Sequence, residues 1–354
     1  MGARRRVREV RPTDGPLLEV EDLRTYFETR RGLVKAVDGV SFELIAGRTL
    51  AIVGESGSGK TVLSRSVMGL LPQRNVTREG RVRFAGLDLV GAPEHELREL
   101  WGDQIAMVFQ DPVTSLNPVV RIGRQITESL RHHVGMSRSE ARAAATALLR
   151  SVGIAEPEQR LRWYPHQFSG GMCQRIVIAS AIACGPQLLL ADEPTTGLDV
   201  TVAAQILDLL QRLQHERQMS MILVSHDLGL VAGRSDDIIV MYAGKVVEKA
   251  PTATLLSDTR MPYTEALLRS APRLTDGSHR RLPTIPGAPP DPSDYPAGCR
   301  FASRCAYAQP RCAEEEPPLR PGAVPEHTYA CWYPVGTPHG AEALELNRAG
   351  GAVG

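Results

Sequence analysis

Gly54-Glu55-Ser56-Gly57-Ser58-Gly59-Lys60-Thr61 is the stretch on which the reading of this chain turns. Ahead of it, Thr49-Leu50-Ala51-Ile52-Val53 is a short, apolar, partly β-branched run that reads as a buried strand. Behind it, residues 62–71 read as a helix that stops at Pro72. Strand, glycine-rich turn and helix in that order are the context that makes a GxxxxGK[ST] match credible. The glycines let the backbone turn its N–H groups inward, which builds an anion nest at a helix N-terminus. Lys60 then reaches the outer phosphates and the Thr61 hydroxyl suits Mg²⁺. A nucleoside triphosphate is the expected ligand.

The 354 residues are long enough for two or three structural units. A net charge of +1 gives no overall pull toward nucleic acid or acidic lipid. No apolar run approaches the ~18 residues of a membrane-spanning helix, and no apolar h-region follows the basic N-terminus. A soluble, cytoplasmic chain able to dock on a membrane protein is expected. Residues 1–16, with Arg4, Arg5, Arg6, Arg8 and Arg11, read as a disordered basic arm.

From Leu17 to Val53 the pattern is strand-like, with turns at Arg31-Gly32 and Ala46-Gly47. Residues 80–110 alternate again and end in Ile105-Ala106-Met107-Val108-Phe109, a strand running into Gln110-Asp111-Pro112. Between about 112 and 184 the character turns helical, most clearly from Glu140 to Val152. Ser169-Gly170-Gly171 precedes a further helix over 172–184, with Ser169 a natural N-cap and the glycines permitting close approach of an anion. Leu188-Leu189-Leu190-Ala191-Asp192-Glu193 reads as a buried parallel strand ending in two acids. Asp192 suits water-mediated Mg²⁺, and Glu193 suits orientation and deprotonation of an attacking water. Met221-Ile222-Leu223-Val224 is another core strand, delivering Ser225-His226-Asp227 to the carboxyl edge of the sheet, where ligands of α/β folds bind.

Taken together, these residues resemble an ABC-transporter ATPase over roughly residues 17–335. Gly54 to Thr61 matches the phosphate loop, Gln110 the Q-loop glutamine, and Ser169-Gly170-Gly171 the signature loop. Leu188 to Asp192 matches the Walker B strand with Glu193 after it, Gly197-Leu198-Asp199 the D-loop, and His226 the switch histidine. Phe27 falls where the family places its adenine-stacking aromatic, with Tyr26 the alternative. The fold this implies is an α/β P-loop NTPase core with an antiparallel β subdomain, a helical insertion and a cysteine-bearing C-terminal extension. The resemblance also implies ATP and Mg²⁺ as ligands, with Thr61, Gln110 and Asp192 serving the metal. Two ATPase subunits would close head to tail, each ATP lying between one phosphate loop and the partner's signature loop.

Longer stretches resemble the ATP-binding subunits of bacterial oligopeptide and dipeptide importers. They are Phe109 to Pro118, Tyr164 to Met172, Asp192 to Thr201 and Met261-Pro262-Tyr263-Thr264. This narrower resemblance implies a peripheral subunit at the cytoplasmic face of the cell membrane. Its partners would be a second, homologous ATPase, two transmembrane permeases and an extracytoplasmic peptide-binding protein, with no nucleic acid. Importers of nickel or other small solutes share most of these motifs, and a soluble, non-transport ABC ATPase is a further alternative. Cys173 departs from the group, which carries Arg before Gln174-Arg175.

Of six cysteines, four lie in the proline-rich segment 283–337: Cys299, Cys305, Cys312 and Cys331, with 5, 6 and 18 residues between them. Four thiolates suit zinc or an iron–sulfur cluster, and the absence of paired CxxC spacing argues against zinc. The segment, with Leu282 to Gly287 ahead of it, resembles the C-terminal extension of peptide-importer ATPases, in which four such cysteines imply a [4Fe–4S] cluster. Cys173 and Cys184 read as packing residues. The expected organisation is a basic arm over 1–16, an ATPase domain over 17–250 with its helical part over about 112–184, the extension over 251–337, and a disordered tail over 338–354.

Overall fold

A computed structural model describes residues 15–72, 74–270 and 284–350, with Gly350 by its backbone alone. The basic arm up to residue 14, Leu282-Pro283 and residues 351–354 lie outside them. The chain folds as two compact units, one built from the segment through Leu18, Glu43–Thr49 and Arg83–Val224, the other from Glu19–Phe42, Leu50–Val82 and Ser225 onward.

In the first unit, the strands Ile105–Val108, Leu188–Asp192 and Ser220–Ser225 run parallel, with Ile105 opposite Leu188 and Asp192 opposite Val224. Every residue of the three strands is buried. This explains their unbroken apolar runs, because parallel strands are covered on both faces. The helical part follows between the first two strands. Helix Ile122–His133 buries Ile122, Ile126 and Leu130, one residue per turn on a single face. Helix Arg138–Ser151 buries Ala141, Ala145, Leu148 and Leu149 and begins at a capping box. There the Ser137 hydroxyl accepts from the Glu140 N–H, and the Glu140 carboxylate accepts from the Ser137 N–H. The helix expected over 172–184 runs instead from Gly170 to Ala181, starting at its glycines.

In the second unit, Thr49–Val53 lies parallel to Asp237–Tyr242, and Lys245–Pro251 turns back antiparallel to that strand with a register shift between Val246 and Glu248. The short strands Thr328–Tyr329 and Arg320–Pro321 extend the same sheet. The long strands Gly32–Leu44, Leu18–Thr29 and Val76–Phe84 lie side by side in that order in a separate sheet. The helix after the phosphate loop runs Lys60–Met68. It ends before Pro72 because Gly69, at φ 69°, takes the left-handed conformation and bonds back to the last turn.

Across the expected boundary at residue 250, Glu248 pairs with Tyr329 and Lys249 with Thr328. One expectation about organisation differs from the structure. Residues 338–350, expected as a disordered tail, form the helix Pro338–Gly350. It is held by Asn347 Nδ2, which donates to the carbonyls of Ala306 and Ala308 at 2.8 and 2.9 Å, and by buried Ala343, whose carbonyl accepts from Gln309.

Candidate functional site: a phosphate loop and a carboxylate centre

The candidate residues divide between the two units. In the second, Gly54 to Gly59 links the strand Thr49–Val53 to the helix that Lys60 begins. Gly59 sits at φ 100°, and a Cβ there would stand 2.1 Å from the Ala36 carbonyl oxygen, so only glycine fits. Lys60 is 3% exposed, and its ammonium donates to the carbonyls of Gly54 at 2.8 Å and Glu55 at 3.0 Å. The cation therefore lies inside the curve of its own loop. Ser58 closes the turn, its N–H donating to the Glu55 carbonyl, and its carbonyl accepts from the Gly244 N–H.

Contacts from far along the chain hold the same loop. The Glu55 N–H donates to the Tyr263 hydroxyl at 2.8 Å, and the Glu55 carboxylate is paired with the Arg304 guanidinium. Sequence reasoning assigned neither residue a role, although Tyr263 lay in one of the stretches noted above. Of the two candidate aromatics, Tyr26 has its hydroxyl committed to Asp38 at 2.6 Å, while the ring of Phe27 is half-buried. His226 is exposed in the turn Ser225–Asp227, which is closed by the Asp227 N–H donating to the Ser225 hydroxyl.

In the first unit, Asp192 ends its strand 1% exposed, and Glu193 follows with φ 45°, a left-handed conformation costly for a residue with a Cβ. Gln110 Nε2 donates to Glu193 Oε2 at 3.1 Å, and Thr196 Oγ1 donates to the same oxygen at 3.0 Å. Two donors and a fixed backbone thus orient one carboxylate at the end of a buried strand. Gln110 and Glu193, 83 positions apart in sequence, are brought together as a pair. Ser169 caps the helix Gly170–Ala181, accepting from the Met172 N–H. A Cβ on Gly171 would stand 2.8 Å from Val202 Cγ1, on the helix Val200–Arg217 that Asp199 caps. Cys173 points inward, 3% exposed, with its thiol toward the Pro165 carbonyl, so this departure sits in the packing of the helix.

The four cysteines of the expected cluster site all lie among the described residues, and none of them is in a disulfide. Burial, then the neighbouring Cys299 and Cys312, pushes the Cys305 thiol up to about 12, and burial also raises Cys299 and Cys331. Among the described residues, no three His, Cys, Asp or Glu side chains are grouped so as to hold a metal ion. The fold of this segment rests on other contacts: Cys299 N–H to Cys312 carbonyl at 2.8 Å, and Trp332 under the guanidinium groups of Arg311 and Arg320 at 3.6 and 4.3 Å. The [4Fe–4S] reading of these four cysteines rests on the resemblance alone.

The family profile described as ABC transporter matches residues 37–196, and that of the oligopeptide/dipeptide transporter C-terminal region matches residues 247–312. A putative peptide import ATP-binding protein of Brucella abortus is 51% identical over 302 residues, covering 85% of this chain and 91% of that protein. The oligopeptide transport ATP-binding protein OppD of Bacillus subtilis is 49% identical, covering 86% of this chain and 85% of its own. The dipeptide transport ATP-binding protein DppD of the same organism is 47% identical over 89% and 94%. Among solved structures, a dimeric ATP-binding cassette in a post-hydrolysis state, bound to ADP and Pi, is similar with a TM-score of 0.60 at 26% identity, over 66% of this chain and 98% of that one. With half its residues shared along most of its length, the chain belongs to the ATP-binding proteins of ABC transporters, in their oligopeptide/dipeptide branch.

Proposed function

We propose that this chain is the ATP-hydrolysing subunit that energises a membrane importer of oligopeptides or dipeptides. The observation that carries the hydrolytic part is the Glu193 carboxylate, fixed by Gln110 and Thr196 and ready to orient a water molecule. The cargo assignment is supported by the relatives named for peptide, oligopeptide and dipeptide transport.

Catalysis on this reading is positioning and charge stabilisation. The N–H groups of residues 54–61 and the Lys60 ammonium hold the phosphates, with Lys60 exchanging the carbonyls of Gly54 and Glu55 for phosphate oxygens. Phe27 stacks on the adenine. Glu193 takes the proton of the attacking water, Gln110 orients Glu193, and His226 holds the γ-phosphate. Thr61, Gln110 and Asp192 offer oxygen donors of the kind Mg²⁺ takes, and such sites need only one or two carboxylates beside the phosphates. When bound, that ion neutralises charge on the phosphate oxygens.

Ser169, Gly170 and Gly171 serve the nucleotide of a partner ATPase, so two such chains close on each other head to tail. The partner is a homologous second chain, and the pair works at the cytoplasmic face of the membrane on two permeases served by a peptide-binding protein. Among the described residues no helix is long and apolar enough to cross a membrane. We assign residues 17–250 to the ATPase domain, with 112–184 meeting the permeases, and 251–337 to the extension.

The test is ATP turnover by the complex drawn from native membranes through a tag on this chain. It is measured alone, with binding protein, and with binding protein plus short peptides or Ni²⁺. Stimulation by peptides that disappears in Glu193→Gln is the expected result. Stimulation by Ni²⁺ alone moves the cargo to a metal importer. Absence of permeases with a response to nucleic acid ends the transport reading.

A further inference from the structure

The C-terminal extension reaches the phosphate loop at Glu55. All three polar groups of Glu55 are engaged. Its carbonyl accepts from Lys60 at 3.0 Å, its N–H donates to the Tyr263 hydroxyl at 2.8 Å, and its carboxylate meets Arg304 through both oxygens, Oε2 to Nη1 at 2.6 Å and Oε1 to Nη2 at 2.9 Å. The guanidinium is 2% exposed, the carboxylate 28%. Such a two-pronged pair is the strongest and most directional that a carboxylate makes.

Arg304 is itself fixed. Its Nε donates to the Pro286 carbonyl at 2.8 Å and its Nη1 lies 3.3 Å from the Tyr242 hydroxyl. It stands in the short turn Ala302–Arg304, directly between Cys299 and Cys305. Phe301 in the same segment packs edge-on against Tyr242 and Tyr263, each 5.2 Å away between ring centres, with the two tyrosines 4.6 Å apart. Tyr242 ends the strand beside the one that feeds the phosphate loop. The extension therefore presents a rigid, buried cation to one side chain of the nucleotide site, which is a large structural commitment for a residue outside the reaction.

We propose that Arg304, with Tyr263, is a positioning residue that preorganises the phosphate loop through Glu55, making ATP affinity depend on the fold of the C-terminal extension. The chemical need is specific. When Lys60 leaves the carbonyls of Gly54 and Glu55 for phosphate oxygens, the loop loses its internal cation. The contacts of Glu55 with Arg304 and Tyr263 then remain to hold its shape. This inference rests on the reading of residues 54–61 as the ATP site and not on the cargo.

The experiment is equilibrium binding of ATP to the purified full chain, together with kcat and KM of the assembled complex and the melting temperature of each variant. Arg304→Met is expected to weaken ATP binding by about tenfold, the value of a lost charge-assisted bond, and to raise KM while kcat stays near that of the parent. Arg304→Lys, which keeps the charge without the fork, recovers part of the affinity. Glu55→Gln combined with Arg304→Met weakens binding no further than Arg304→Met alone. Arg311→Met is the control: Arg311 packs on Trp332 and pairs with Glu315 inside the extension, so its loss leaves ATP affinity in place whatever it does to the melting temperature. Should Arg304→Met fail to fold, Arg304→Lys and Tyr263→Phe carry the same comparison. Unchanged affinity in the Arg304 variants overturns the proposal. So do losses that add between Glu55→Gln and Arg304→Met, or equal losses in Arg311→Met. Binding to the isolated chain involves no permease, so these outcomes are separate from success or failure of the importer reading.

Discussion

Gln110 and Glu193 are joined side chain to side chain, the amide of one donating to the carboxylate of the other at 3.1 Å. The bond joins the Q-loop glutamine to the residue expected to activate water. On the proposed reading, movement of the segment that follows Ile105–Val108 would shift the Glu193 carboxylate with it. Thr196 shares the same oxygen at 3.0 Å, and the left-handed backbone of Glu193 limits where the side chain can go. Glu193→Gln keeps the shape and removes the base, so turnover falls by about 10²- to 10⁴-fold while ATP still binds. Turnover measured beside ATP affinity decides it, and full activity in Glu193→Gln would place water activation elsewhere.

Gln110→Ala and Thr196→Val each take away one of the two donors and leave the base in place. Both lower kcat by about tenfold, with little change in KM, because orientation alone is lost. Single-turnover rates of the assembled complex provide the measurement. A change confined to KM would mean that these two residues serve binding of ATP.

Much of this centre was legible before the fold was seen, and the reason is local. Leu188–Asp192 is apolar at every residue until the acid, which is what a strand buried on both faces requires. The phosphate loop declares itself because a tight anion nest needs glycine at fixed positions, and a Cβ on Gly59 would stand only 2.1 Å from the Ala36 carbonyl oxygen. Arg304 and Tyr263 carried no such signal. They reach Glu55 across 249 and 208 positions, and no periodicity or turn chemistry encodes a meeting at that distance. The helix Pro338–Gly350 was legible and overlooked: Ala341-Glu342-Ala343-Leu344-Glu345-Leu346 is a run of strong helix formers.

Glu248 and His327 form a fully buried pair, 0% exposed on both sides, with His327 Nε2 2.9 Å from Glu248 Oε1. The same carboxylate accepts from the N–H groups of Arg260 and Met261 at 2.7 and 3.2 Å, so one side chain fastens the strand Lys245–Pro251 to two later segments. Glu248→Ala strips three donors of their acceptor and is expected to cost about 3–5 kcal/mol, read by urea unfolding. A loss below about 1 kcal/mol would show that water replaces the carboxylate without penalty.

Asp38 offers a test by pH. Burial opposes its charge, but the Tyr26 hydroxyl and the guanidinium of Arg300, with Lys245 beside them, hold its carboxyl below the usual value of 3.8. A depressed folded-state pKa means that the ionised group favours the folded chain. That contribution is complete above the unfolded value of ~3.9 and is lost as pH falls through the lower, folded one. Asp38→Asn has no carboxyl to titrate. The stability difference between parent and variant is therefore largest from about pH 6 upward and shrinks as pH falls toward about 3. Urea unfolding of both chains at a series of pH values checks this. A difference that stays constant over that range would mean that Asp38 contributes packing and hydrogen bonds independent of its charge, and that Arg300 gains nothing from the pair.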